Sequence, residues 1–203
     1  HDRYHWINGK WNEFDAFDSF FERSFISTMN ALIYEGVALD LFSENLTDAI
    51  TVHDGWVEAY GYRYDTAIFP TMKFTNAKTR NLIAQMKANK VRMIFLYELP
   101  SVETDSGEAF DAGFRMMPCN TALDMSCDGN AYLINPKTFP LNFAIHRSAL
   151  QSAIGTRHLN IRADEGVLIS KRFNADTNVW FLCNDNDHKS AAAFDALPGM
   201  RIL

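Results

Sequence analysis

A chain of 203 residues with 47% hydrophobic and 22% charged residues can build one substantial core and lies far from disordered compositions. Its formal net charge of -6 argues against a nucleic-acid partner, because a phosphate-binding face has to be basic. No run of about 18 apolar residues exists to cross a bilayer, and no signal-peptide pattern opens the chain at His1.

Residues 1–11 are aromatic and polar, with Asn8-Gly9 as a turn signal. Phe14, Phe17, Phe21, Phe25, Thr28, Met29 and Leu32 then recur at steps of three and four, which predicts an amphipathic helix over 12–35 that Gly36 ends. Residues 37–42 read as a short buried strand. Apolar runs at 50–52 and 56–60 flank His53-Asp54-Gly55, a hairpin signal. A second buried strand is expected over 64–70, stopped by Pro70. A helix follows over 76–89 with Leu82, Ile83 and Met86 facing inward; its lysines and arginine, spaced from Lys78 to Lys90, are a solvated helix face. A third strand is expected over 91–96. Alternating helices and short continuous apolar strands favour a parallel sheet covered on both faces.

From Ser101 to Asn130 the pattern dissolves into a loop with short helical turns. Residues 142–154 form one more helix, ended by Gly155. Residues 166–173 and 179–184 are strand-like around the turn cluster 174–178. The chain is expected to divide into an α/β domain, 1–158, and a β-rich segment, 159–203, that starts or bridges to a further β domain.

The stretch from Ala31 to Pro100, with Leu39-Asp40-Leu41, Asp54-Gly55, Tyr64-Asp65, Ile68-Phe69-Pro70, Met93 to Leu96 and Leu99-Pro100, resembles the glutamine-amidotransferase-like domain beside the catalytic barrel of several bacterial glycoside hydrolases. The pattern is similar to that of beta-galactosidase trimerisation domains and of the matching region of large rhamnosidase-like enzymes. The tail, residues 167–187, resembles the strand pair that opens the next β domain in such enzymes. The resemblance implies a flavodoxin-like, class I amidotransferase-like three-layer parallel sheet with a C-terminal β-rich extension. It also implies an accessory or oligomerisation role in carbohydrate metabolism rather than catalysis. Its partners would be the other domains of the parent enzyme, a second copy or a carbohydrate, and a polysaccharide-degrading parent would place it in the periplasm or outside the cell. These are shape motifs, and none is a catalytic fingerprint.

An amidotransferase needs a nucleophile on the sharp turn after a central strand, with a histidine as base. The equivalent turn, Tyr97-Glu98-Leu99-Pro100, has no Cys, Ser or Thr and no glycine. Cys119 lies in a loop-like context and reads as an ordinary thiol. The three cysteines, Cys119, Cys127 and Cys183, contain no CxxC, and the spacing allows one Cys119–Cys127 disulfide. No histidine pair has zincin spacing, and no phosphate-binding glycine motif occurs, so neither a metal nor a cofactor is expected. Four residues are candidate ligand contacts. Glu98 lies just past the carboxyl end of a predicted strand, where open α/β sheets bind ligands. Tyr4, Trp6 and Trp11, near His5, carry rings that could stack on a sugar or pack on the first helix. Asp40 and Asp65 are expected to satisfy backbone donors at strand edges. The alternatives to an accessory domain are a carbohydrate-binding module and a stand-alone hydrolase or amidotransferase with an unrecognised nucleophile.

Overall fold

The computed structural model describes residues 37, 39–119, 125–135 and 143–154, the helical residues 24–26, 28–29 and 31–32, four strands beyond residue 160, and residues 189 and 191. After a 3-10 helix, Glu44–Ala49, the chain runs through β1 (Ile50–His53), β2 (Trp56–Ala59), β3 (Tyr62–Tyr64), β4 (Thr66–Phe69), β5 (Phe74–Thr75), α1 (Ala77–Ala88), β6 (Arg92–Leu96) and β7 (Val102–Glu103). It continues with β8 (Met117–Pro118), β9 (Met125–Asp128), β10 (Ala131–Ile134), α2 (Phe143–Ile154), β11 (Ile161–Ala163), β12 (Val167–Phe173), β13 (Asn178–Asn184) and β14 (Ala192–Phe194).

The expected flavodoxin-like three-layer parallel sheet is not what this chain builds. The described residues are mostly strand, in mixed and antiparallel sheets, with few short helices. The largest sheet has the order β4-β6-β10-β9-β8. Its first three strands are parallel; β9 pairs antiparallel with β10, and β8 antiparallel with β9. β1, β2 and β3 form a separate antiparallel meander, and β11–β14 and β12–β13 are antiparallel pairs.

Two local causes account for the departure. Residues 37–42 were expected to supply a buried strand, yet their described members form none. Asp40 sits in mid-run and accepts a hydrogen bond from the Tyr64 phenol at 2.6 Å near the surface, whereas a central parallel strand has no place for an unpaired carboxylate. Within 101–130, expected as loop, Gly129-Asn130 joins β9 to β10, with Gly129 at φ +59 and Asp128 opposite Ala131. A glycine first in a two-residue turn suits the twist of a hairpin, and that hairpin adds the antiparallel half of the sheet.

β6 explains where the core lies. Its side chains alternate across the sheet. Met93 and Phe95 join one apolar cluster with Leu82, Ile83 and Met86 of α1 and Val57 of the meander. Ile94 and Leu96 join another with Ala31, Ile134 and the α2 residues Ala149, Leu150 and Ala153. Phe69 stacks on Phe95 at 4.8 Å, and Ile68 lies opposite Ile94 in parallel register. Arg92 adds a polar link by donating to the Ile154 carbonyl at the end of α2, where a cation also meets the helix dipole favourably.

α1 begins where Asn76 Oδ1 accepts from the Thr79 amide at 2.8 Å. It ends in a Schellman motif. Val91 N–H donates to Met86 O at 3.0 Å and Lys90 N–H to Lys87 O at 3.2 Å, with Lys90 at φ +55. A glycine would meet no Cβ penalty there. Lys90→Gly is therefore expected to raise the unfolding free energy by about 1 kcal/mol, read as a higher urea midpoint at unchanged slope.

Candidate functional site

The carboxyl ends of β4, β6 and β10 form a rim. β6 leaves it through a very tight turn. The Tyr97 amide donates to Ile134 O at 2.7 Å, and the Glu98 amide then donates back to Leu96 O at 2.9 Å. Tyr97, between them, takes φ +69. An i to i+2 bond around a residue of positive φ is a γ-turn of the strained kind. What holds it is packing, because the Tyr97 side chain is only 7% exposed and belongs to the cluster of Leu96, Met125 and Leu150. Burial pushes its phenol well above the usual tyrosine range.

Glu98 is turned out of this cluster but stays half-buried. The chain after β4 closes over the turn, since Ser101 and Val102 amides donate to Lys73 O at 2.9 and 3.1 Å. Desolvation raises the Glu98 carboxyl above its ordinary value, and the Lys73 charge offsets part of that rise. Beneath the rim, the Ser24 and Thr71 hydroxyls share a buried hydrogen bond of 2.6 Å. Glu44 Oε1 accepts from Thr75 Oγ1 at 2.6 Å and from the Asn76 amide at 3.3 Å, which occupies the start of α1.

The meander offers a second surface. Directly opposed residues share one sheet face. On the outer one, His53 stacks on Trp56 at 4.0 Å, the Arg63 guanidinium lies 4.8 Å from the same indole centroid, and Glu58 Oε2 is 3.9 Å from His53 Nε2. The Trp56 ring is thus already covered by an imidazole and a guanidinium. At the meander's end, Tyr60-Gly61 forms the β2–β3 turn with φ +51 and +79, the signature of a type I′ hairpin. Phe42 stacks on Tyr60 at 6.1 Å and meets Tyr64 edge-on at 5.7 Å. Leu41, Tyr60 and Tyr62 are 62%, 61% and 65% exposed.

Of the sequence candidates, Glu98 lies on the rim, whereas Tyr4, Trp6 and Trp11 lie outside the described residues. Asp40 and Asp65 accept from side chains, the Tyr64 phenol at 2.6 Å and Thr66 Oγ1 at 2.8 Å, rather than from the backbone donors expected. Cys119 follows β8 directly and Cys127 lies on β9, diagonal to it across the ladder. Burial and the neighbouring Cys127 push the Cys119 thiol up to about 12, which leaves little thiolate at neutral pH. Among the described residues no three His, Cys, Asp or Glu side chains group to hold a metal ion, and no helix is long and apolar enough to cross a membrane. The sequence reading missed the Tyr60–Tyr62 ledge, although the Tyr60-Gly61 pair between apolar residues was a signal for it. No family model matches this chain, and no curated protein matches its sequence.

The raised Glu98 carboxyl has a pH consequence. Unfolded, the group ionises at its ordinary value; folded, it ionises only at higher pH. Stability is therefore lost as pH rises through that window and stays lowered above it. Glu98→Gln should melt at a higher temperature than the parent at pH 7. The difference should vanish near pH 3, below the ordinary Glu value of about 4.3, as thermal scans across pH would show.

Proposed function

We propose that this chain is a non-catalytic accessory module of a carbohydrate-active enzyme, a glycoside hydrolase of beta-galactosidase- or rhamnosidase-like type, and that it docks on a neighbouring domain. The observation that carries this reading is the ledge of Leu41, Phe42, Tyr60 and Tyr62. Exposed Leu41, Tyr60 and Tyr62, with half-buried Phe42 stacked on Tyr60, combine apolar area with phenol groups, the composition of a docking surface. The strain at Tyr60 fits the same role. A type I′ turn favours Asn or Gly at that position, and a tyrosine there accepts a backbone cost to present its ring.

Two further features support it. Residues 31–100 resemble the region beside the catalytic barrel of such enzymes. The turn after β6 carries a buried phenol and a half-buried carboxyl in place of a nucleophile with a base, and a phenol with a raised pKa is not an activated nucleophile. Trp56 favours docking over sugar binding, because a pyranose would have to displace His53 or Arg63 to reach the indole.

The test pairs this chain with the separately expressed remainder of its parent enzyme. Tyr60→Ser/Tyr62→Ser should weaken their association by about tenfold or more, the effect of removing interface anchors, while the far-ultraviolet circular dichroism stays unchanged. The chain alone should release no nitrophenol from nitrophenyl glycosides. Equal affinity of the variant, or hydrolysis by the chain alone that Glu98→Gln abolishes, would contradict the reading.

A further inference from the structure

The mixed sheet ends at β8, a two-residue edge strand whose residues are both exposed. Its ladder pairs Met117 with Cys127 and Pro118 with Ser126, and the Cys119 amide extends it by donating to Met125 O at 2.9 Å. Side chains alternate along a strand, so 117 and 119 share a face with 125 and 127. Cys119 and Cys127 are therefore diagonal cross-strand neighbours. Both residues are half-buried rather than sealed, and both are free thiols. Diagonal neighbours sit somewhat under ~7–8 Å apart at Cβ, whereas a disulfide needs about 3.5–4.5 Å. β8 is the element that can move to close the gap, because among the described residues one ladder holds it, at an exposed edge.

We propose that Cys119 and Cys127 are a disulfide site, closed by exchange with a low-molecular-weight disulfide such as glutathione disulfide, and that the bond fastens the edge strand β8 to β9. One cysteine thiolate attacks glutathione disulfide, and its S–S bond breaks to release one glutathione thiolate. The second cysteine, after losing its proton to solvent, attacks the mixed disulfide and releases the second glutathione. Two protein thiols are oxidised and one glutathione disulfide is reduced to two glutathione molecules. Because the Cys119 thiol is held up to about 12, chiefly by burial, closure accelerates as pH rises. The bond stabilises the fold by restricting the unfolded chain between the two positions.

The experiment reduces the chain, then exposes it to excess glutathione disulfide at about pH 8, where a typical free cysteine is partly thiolate. Thiol titration should show that two of the three cysteines are lost. Cleavage on the amino side of aspartate, without reduction, should yield segment 111–123 joined to segment 124–127, two hydrogens lighter than their sum, with Cys183 still a thiol in segment 176–184. The oxidised chain should melt at a higher temperature than the reduced one, and Cys183→Ser should behave the same way. Cys119→Ser and Cys127→Ser should each carry a glutathione adduct and lose the difference in melting temperature. A persistent glutathione adduct on the parent chain, a link through Cys183, a covalent dimer, or survival of all three thiols would overturn the proposal.

Discussion

The structure depends on one strand being buried from both sides. β6 sends Met93 and Phe95 into the cluster built by α1 and the meander, and Ile94 and Leu96 into the cluster built by α2 and the helical residue Ala31. Removing a buried phenylalanine ring typically costs about 3–5 kcal/mol, a large share of a domain's net stability. β6 also fixes its neighbours. β4 and β10 pair with it in parallel register on its two edges, and Asn130 O accepts from the Met93 amide at 3.0 Å to start the second pairing. The exit of β6 follows from the same burial. A strained turn at Tyr97 costs on the order of 1–3 kcal/mol. Burying a large side chain returns about 1.5–3 kcal/mol, so packing is strong enough to keep a non-glycine residue in this conformation.

Much of the local structure was legible because it rests on local chemistry. Leu82, Ile83 and Met86 mark the inner face of α1, and the helix is there over Ala77–Ala88. Asp54-Gly55 marks the β1–β2 turn, and His53 lies opposite Trp56 as a two-residue connection requires. The apolar run before Tyr97 is a buried strand. The sheet's composition was not legible, because strand direction is decided by long-range pairing. Residues 131–134 are too short an apolar run to declare themselves, and they become a strand by lying between β6 and β9. The run at 37–42 looks buried in sequence, but the Asp40–Tyr64 hydrogen bond and the Phe42–Tyr60 stack draw it to the meander's edge instead. The left-handed conformations of Lys90 and Tyr97 were hidden for the same reason, since no local signal announces a non-glycine residue there.

The aromatic residues separate into three uses. Phe69 and Phe114, partly buried, each pack on fully buried Phe95. Trp56 is sheathed by His53 and Arg63 on the outer face of the meander. Tyr60 and Tyr62 are exposed at the meander's end, with half-buried Phe42 stacked on Tyr60, and of these groups this one has the exposure a partner could cover. This distribution, more than any titratable group, carries the functional reading. The rim residues are fixed by packing and offer a carboxyl disfavoured as an anion, whereas the ledge offers apolar area at a turn.

Native-state hydrogen exchange tests the central claim most directly. If β6 is the element on which both clusters depend, the amides of Ile94, Phe95 and Leu96 exchange only through global unfolding, with a free energy equal to that from urea denaturation, while amides at 41–46 and 60–62 exchange through small local openings. Exchange at β6 through a partial opening, with the β9–β10 hairpin still protected, would contradict it.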